Sequence, residues 1–114
     1  MSDKKHLYVL WTTDNLITAE KMVFMYAVNA LIHEWWEKVT IIVWGAATQA
    51  VSENSRMQEL VKEALDAGVH MTACKACADQ LGVTEKLEEL RIEVMYWGLP
   101  FTEILTNDEK LLTI

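Results

Sequence analysis

Basic runs are missing from this sequence: the longest is Lys4-Lys5. Seventeen acidic residues stand against ten basic ones, a formal net charge of −7. A nucleic-acid backbone is bound largely by displacing condensed counterions, which takes a basic face. Direct nucleic-acid binding is therefore not expected, and the same deficit argues against an anionic membrane surface. Long apolar runs are missing too. The longest, around Ile41 to Ala47, is far too short to span a bilayer. Residues 1–6 are largely polar and charged, with no apolar stretch behind them long enough for a secretion signal. The expected location is the cytoplasm, where a structural disulfide is uncommon. Neither G-x-G-x-x-G nor G-x-x-x-x-G-K-[ST] occurs, which removes the usual marks of a dinucleotide or nucleotide enzyme, and no cofactor is expected. With one proline and four glycines, most of the chain should be regular structure joined by short loops.

Apolar residues make up 52% and charged residues 24% of 114 residues, a globular composition for one domain spanning 1–114. His6 to Trp11 reads as a strand, and Thr12 to Asn15 offer short side-chain oxygens that can cap a helix. Leu16 to about Glu37 reads as a long helix and Lys38 to Trp44 as a strand covered on both faces. Gly45 to Ser52 reads as a loop or short irregular helix. Ser55 with Gln58 suggests a capping box before a helix whose Met57, Leu60, Val61, Ala64 and Leu65 share one face. Gly68 stops that helix. Val69 to Ala73 reads as a short central strand and Cys74 to Leu81 as a short helix ending at Gly82. Thr84 is placed to cap a further helix, which carries Leu87 and Leu90 inward. Ile92 to Trp97 reads as a strand, and Pro100 sits in the first turn of a helix that runs to about Thr106. Glu109 to Ile114 is a fifth strand or an extended tail. Strands alternating with helices give an α/β domain with a mainly parallel sheet, whose strand order this pattern does not reveal.

The first helix carries more apolar surface than the outside of a three-layer domain requires. Its second face, around Met22, Met25, Tyr26 and Asn29, is expected to pack against another subunit. Trp35 and Trp36 close the helix and are expected to be buried. Trp11, Trp44 and Trp97 are expected to pack over the ends of the core.

Cys74 and Cys77 form a C-x-x-C pair directly after the central strand. In α/β sheets, functional groups collect beyond the carboxyl ends of strands. A helix N-terminus there favours a thiolate, and Lys75 brings positive charge nearby. Four readings compete: a cysteine that carries persulfide sulfur, a dithiol–disulfide redox pair, half of a metal site, or two inert core residues. The metal reading lacks a second C-x-x-C, and His6, His33 and His70 are scattered, so no metal site is expected within one chain. Asp79 and Gln80 read as solvated positions.

The opening strand followed by WTTD, the helix EKMVFMYAVNA, the strand and turn VTIIVWGAA, and above all AGVHMTACKACADQLGV together resemble the DsrE/DsrF-like group of small sulfur-relay proteins. The resemblance runs from about His6 to Ile114. It implies a three-layer α/β/α sandwich around a mostly parallel five-stranded sheet, and a homotrimer, homohexamer or hetero-hexamer. It also implies that persulfide sulfur is carried on the cysteine after the third strand, passed from one cytoplasmic partner protein to another. Cys74 matches that cysteine. Cys77 matches no universal family cysteine, which leaves open a release of sulfur by a Cys74–Cys77 disulfide, or a redox role. A non-catalytic oligomer that binds a small ligand is the further alternative. The loops Thr12–Asn15 and Gly45–Ser52 are placed to flank the cysteine and to donate hydrogen bonds to a persulfide.

Overall fold

The computed structural model describes residues 5–114; residues 1–4, with Lys4 of the basic pair, lie outside them. Five strands form the sheet: β1 (His6–Trp11), β2 (Lys38–Val43), β3 (His70–Cys74), β4 (Glu93–Met95) and β5 (Lys110–Thr113). Their order is β4-β3-β2-β1-β5, and all four pairings are parallel. The first helix, α1, covers residues 16–32. It is followed by α2 (Ala46–Glu53), α3 (Ser55–Asp66), α4 (Lys75–Leu81), α5 (Thr84–Glu89) and α6 (Gly98–Thr106).

Strand order and crossover hand together decide where the layers lie. From β1 to β4 the chain steps one strand at a time in one direction. Parallel crossovers are right-handed, so the intervening helices all fall on the same face. From β4 the chain jumps back across the whole sheet to β5, which puts α6 on the opposite face. The result is a three-layer α/β/α sandwich with unequal outer layers. On the thick face, Val9, Trp11, Ile41, Val43, Met71 and Ala73 meet Phe24, Ala27, Val51, Val61 and Leu87 of the helices. On the thin face, Ile42 and Cys74 meet Trp97 and Ile104, with Tyr8, Leu10, Trp44 and Phe101 partly buried around them.

Helix α1 carries a π segment, Ala19–Phe24, where the Met25 N–H reaches five residues back to the Glu20 carbonyl. Its buried side is lined by Ala19, Val23, Ala27 and Ala30, small enough for close approach to the sheet, with Phe24 packed edge-on against Trp11. Asn15 caps its start by accepting from the Thr18 N–H at 2.9 Å. The helix stops at Ile32, short of Glu37. The chain turns at Glu34, whose φ is +58°, and the Trp35 N–H closes the end onto the Ala30 carbonyl. Trp35 is consequently 46% exposed, against the expectation of burial, while Trp36 is half-buried and donates to the Tyr26 hydroxyl at 3.2 Å.

Other boundaries shift for local reasons. The segment after Gly45 is the regular helix α2. Asn54, not Ser55, caps α3 by accepting from the Met57 N–H at 3.0 Å, and Gln58 donates to the carbonyls of Val51 and Ser52 instead of closing a capping box. Val83 precedes α5 with no side-chain cap, because the Thr84 hydroxyl is turned to Asp79. Strand β4 is only three residues long, and Trp97 leaves it to begin α6.

Candidate functional site

Cys74 is both the last residue of β3 and the residue that precedes α4, with extended backbone angles of −75° and 119°. It pairs with Met95 of β4. Alternation along β3 places His70, Thr72 and Cys74 on the thin face and Met71 and Ala73 on the thick one. Cys74 is 4% exposed and packs with Ile42, Trp97 and Ile104. Cys77 is the third residue of α4, half-buried, and joins the same cluster. Both cysteines are free thiols.

Trp97 is held in place from behind. Its indole N–H donates to the Thr72 hydroxyl at 2.8 Å, and that hydroxyl donates to the Glu93 carbonyl at 2.7 Å. Thr72 is fully buried, so both bonds are sheltered from water. The ring thereby forms a fixed wall over Cys74.

The Gly45–Ser52 segment reaches the site, as expected, although as a helix. The Cys77 sulfur lies 3.7 Å from the Thr48 hydroxyl and 3.9 Å from the Gly45 carbonyl. Gly45 has φ +64° and ψ −140°, a region essentially reserved for glycine, and this bend aims its carbonyl at the thiol. The Thr12–Asn15 loop has other duties. The Thr12 N–H donates to the Ile114 carbonyl at 2.7 Å, its own carbonyl accepts from Ala47, and Asn15 caps α1. Among the described residues this loop makes no hydrogen bond to either sulfur.

Charge is arranged beside the thiols and is not aimed at them. Lys75 Nζ pairs with Asp79 at 3.0 Å and lies 5.8 Å over the Tyr96 ring. The Asp79 bond raises the pKa of Lys75. The carboxyl of Asp79 is pulled below its ordinary range by the Thr84 hydroxyl first and by Lys75 second. Asp79, read from sequence as merely solvated, thus joins α4 to the start of α5.

A second polar cluster lies on the thin face toward the other end of the strands, and sequence reading missed it. His6 Nε2 is 2.7 Å from Thr40 Oγ1, Thr40 Oγ1 is 3.1 Å from His70 Nδ1, and His70 Nε2 is 2.9 Å from the Glu93 carboxylate. The carboxylate accepts from His70 Nε2–H. In a neutral ring Nδ1 then accepts from the Thr40 hydroxyl, and Thr40 accepts from His6 Nε2–H. Burial, then Lys38 and His70, push the pKa of His6 down. The register that aligns Tyr8, Thr40 and His70 creates this chain, and no spacing within one strand signals it. Thr48 and Thr72 were missed for the same reason. Each is a buried threonine whose partner lies far away in sequence.

Among the described residues no group of histidine, cysteine and acidic side chains is arranged to hold a metal, and no helix is long and apolar enough to cross a membrane. A free cysteine at the tip of the third strand of an all-parallel sheet, with helices on both faces, is the arrangement that the sequence resemblance implied. The model of the DsrE/DsrF-like family matches residues 6–113. The chain belongs to the DsrE/DsrF-like family. It is similar over its whole length to a solved structure, the conserved protein of unknown function BT1422 from Bacteroides thetaiotaomicron: 40% identity and a TM-score of 0.96, covering 100% of this chain and 98% of that one. It shares its fold with the ychN protein from E. coli, at 15% identity and a TM-score of 0.71, over 97% of this chain and 99% of that one. No curated protein matches it. Within the DsrE/DsrF-like fold as this chain builds it, the Cys74 thiol is on the thin face, where α6 with Trp97 covers it and Cys77 of α4 packs beside it.

Proposed function

We propose that this protein is a sulfur carrier that accepts and passes on persulfide sulfur through Cys74. The observation that carries the reading is the position of Cys74: a free thiol at the carboxyl end of β3, on the thin face, in a chain of the DsrE/DsrF-like family. In the first step the Cys74 thiolate attacks the outer sulfur of a donor persulfide, R–S–SH. The donor S–S bond breaks, R–S⁻ leaves, and Cys74–S–SH forms. In the second step an acceptor thiolate attacks the outer sulfur of Cys74–S–SH, taking the sulfur and returning Cys74 as a thiolate. Each step forms one S–S bond and breaks one, so no outside oxidant or reductant is consumed. Trp97, Ile42 and Ile104 shelter the loaded sulfur from water between the steps.

Donor and acceptor are proteins with their own thiols, and complementary charge on them would speed encounter with this acidic chain. The free thiols suit a reducing compartment, and the reading places the relay in the cytoplasm. Its working unit is a homo-oligomer, a trimer or hexamer. Support comes from α1, whose outer side exposes Ile17, Met22, Met25 and Ile32.

Intact mass spectrometry after incubation with a persulfide donor tests the carrier reading. A gain of about 32 Da, one sulfur atom, that peptide mapping finds on Cys74 once loading is complete supports it. Absence of any adduct refutes it. A second reading, a Cys74–Cys77 redox couple, is favoured by one observation: the cysteines occupy the position before α4 and its third residue, where a side chain meets the next turn. Loss of two hydrogens on mild oxidation, with no sulfur uptake, would select it.

A further inference from the structure

The two thiols sit in unlike surroundings. Cys74 is sealed by apolar side chains, whereas Cys77 is half-buried. Among the described residues, all hydrogen bonds to sulfur are made by Cys77, with the Thr48 hydroxyl and the Gly45 carbonyl.

Hydrogen-bond accounting gives these contacts a direction. Thr48 is 0% exposed, and among the described residues its hydroxyl has one hydrogen-bond partner, the Cys77 sulfur. In the thiol form Cys77 donates toward the Thr48 hydroxyl and the Gly45 carbonyl. When that proton leaves, the carbonyl can offer nothing to the anion, whereas the Thr48 hydroxyl rotates to suit its partner and turns its own proton onto the sulfur. A sulfur anion at Cys77 therefore has a side-chain donor in place. One at Cys74 has none from a side chain. Helix α2 packs against α4 and so holds Thr48 at this distance.

We infer that Cys77 is the thiol that captures sulfur from outside, that Cys74 is the sheltered store, and that Thr48 is the positioning residue that holds the Cys77 sulfur for attack. The inference rests on the sulfur-carrier reading and divides its first step in two. The Cys77 thiolate attacks the outer sulfur of R–S–SH, releasing R–S⁻ and forming Cys77–S–SH. The Cys74 thiolate then attacks that outer sulfur, releasing the Cys77 thiolate and forming Cys74–S–SH. Each half-step exchanges one S–S bond for another with no change in oxidation level. Delivery runs the same two exchanges in reverse. The pair thus separates access from storage: the half-buried thiol is loaded only in passing, and the stored sulfur lies behind Trp97.

The test is a time course of loading with cysteine persulfide, quenched with iodoacetamide and mapped by peptide mass spectrometry. In the unaltered protein, sulfur is expected on Cys77 first and on Cys74 afterwards. Cys77→Ser should load Cys74 about tenfold more slowly or worse, as expected when an accessible thiol is replaced by a buried one. In Cys74→Ser the sulfur should stop on Cys77, with none passed on to position 74. Thr48→Val should slow loading severalfold, and Thr48→Ser should restore it, which a merely structural role of the methyl-bearing side chain would not predict. Loading of Cys77→Ser at the unaltered rate overturns the inference while leaving the carrier reading intact. No uptake by any form refutes the carrier reading itself. Alkylation by iodoacetamide alone is an independent arm that needs no persulfide and no Thr48 variant: Cys74 reacting as fast as Cys77 in the unaltered protein overturns the division of roles.

Discussion

Thr72→Val removes one oxygen from the core and replaces it with a methyl group of nearly the same shape. No cavity forms, so the expected cost is almost purely that of hydrogen bonding. Two sheltered bonds disappear: Trp97 Nε1–H to Thr72 at 2.8 Å, and Thr72 to the Glu93 carbonyl at 2.7 Å. The carbonyl retains its second lone pair and its place beside the strand ladder, so its loss is the smaller. The indole N–H belongs to a residue that is itself buried, and it is left without an acceptor. Leaving a buried donor unsatisfied costs about 1–3 kcal/mol, and about 2 kcal/mol is the expectation for the pair of bonds together. Urea unfolding at fixed protomer concentration measures it. The midpoint should fall with the slope unchanged, because the surface exposed on unfolding is the same. Thr72→Ser keeps the oxygen and should recover most of the loss. The second readout is chemical: with the wall over Cys74 released, alkylation of Cys74 should accelerate while that of Cys77 stays constant. A loss below about 0.5 kcal/mol, within the range of ordinary surface substitutions, together with unchanged Cys74 alkylation, would refute the view that Thr72 fixes Trp97.

Gly45→Ala should destabilise by about 1–3 kcal/mol through backbone strain alone, since φ is +64° with ψ −140° and the added methyl meets Thr12 only at an ordinary 3.8 Å; chemical unfolding measures it, and an unchanged midpoint counts against the strain. His6 has its pKa lowered by burial, Lys38 and His70, so the unfolded chain binds its proton more readily than the folded one. Stability from this group is complete above about pH 6.5, its ordinary value, and is lost as pH falls through the lowered folded value. Thermal unfolding between pH 7.5 and 5 should show this decline, and His6→Gln should flatten it. For the proposed oligomer, Ile17→Glu and Met25→Glu should give smaller species without loss of helix content; a mass that light scattering finds unaltered, with circular dichroism unchanged, would count against α1 as its interface.

Much of the architecture could be read from the order of residues because each signal is local. The apolar strand His6–Trp11, the amphipathic face of α3 and the glycine stop at Gly82, which takes the left-handed angles of φ 70° and ψ 30°, need no knowledge of distant neighbours. The places where reading erred are those where a side chain had a competing offer. Ser55 is a good capping residue, but Asn54 reaches the same orphan N–H one residue earlier. Thr84 is another, but Asp79 takes its hydroxyl. Trp35 is apolar enough for a core, yet the left-handed turn at Glu34 carries it outward. At the site, the cysteines were legible from C-x-x-C and the end of a strand. Thr48, Thr72 and the His6–Thr40–His70–Glu93 chain were not, because each contact depends on which strands and helices are neighbours, and strand order lies outside any local pattern.

That order also decides which face of the sheet carries the thiol. Because β1 to β4 advance in one direction, right-handed crossovers load five helices onto the thick face and leave α6 alone on the other. Alternation along β3 then assigns each residue to a face by parity. Cys74 falls with His70 and Thr72 on the thin side. A one-residue slip in β3 would turn its whole pattern over. The cysteine would then point into the thick core, beneath the helices described on that face. Met71 would turn toward the sparsely covered face. The hydrophobic alternation that stabilises β3 thus holds the Cys74 sulfur against Trp97 on the thin face, and the fold and the position of the thiol are set by the same register.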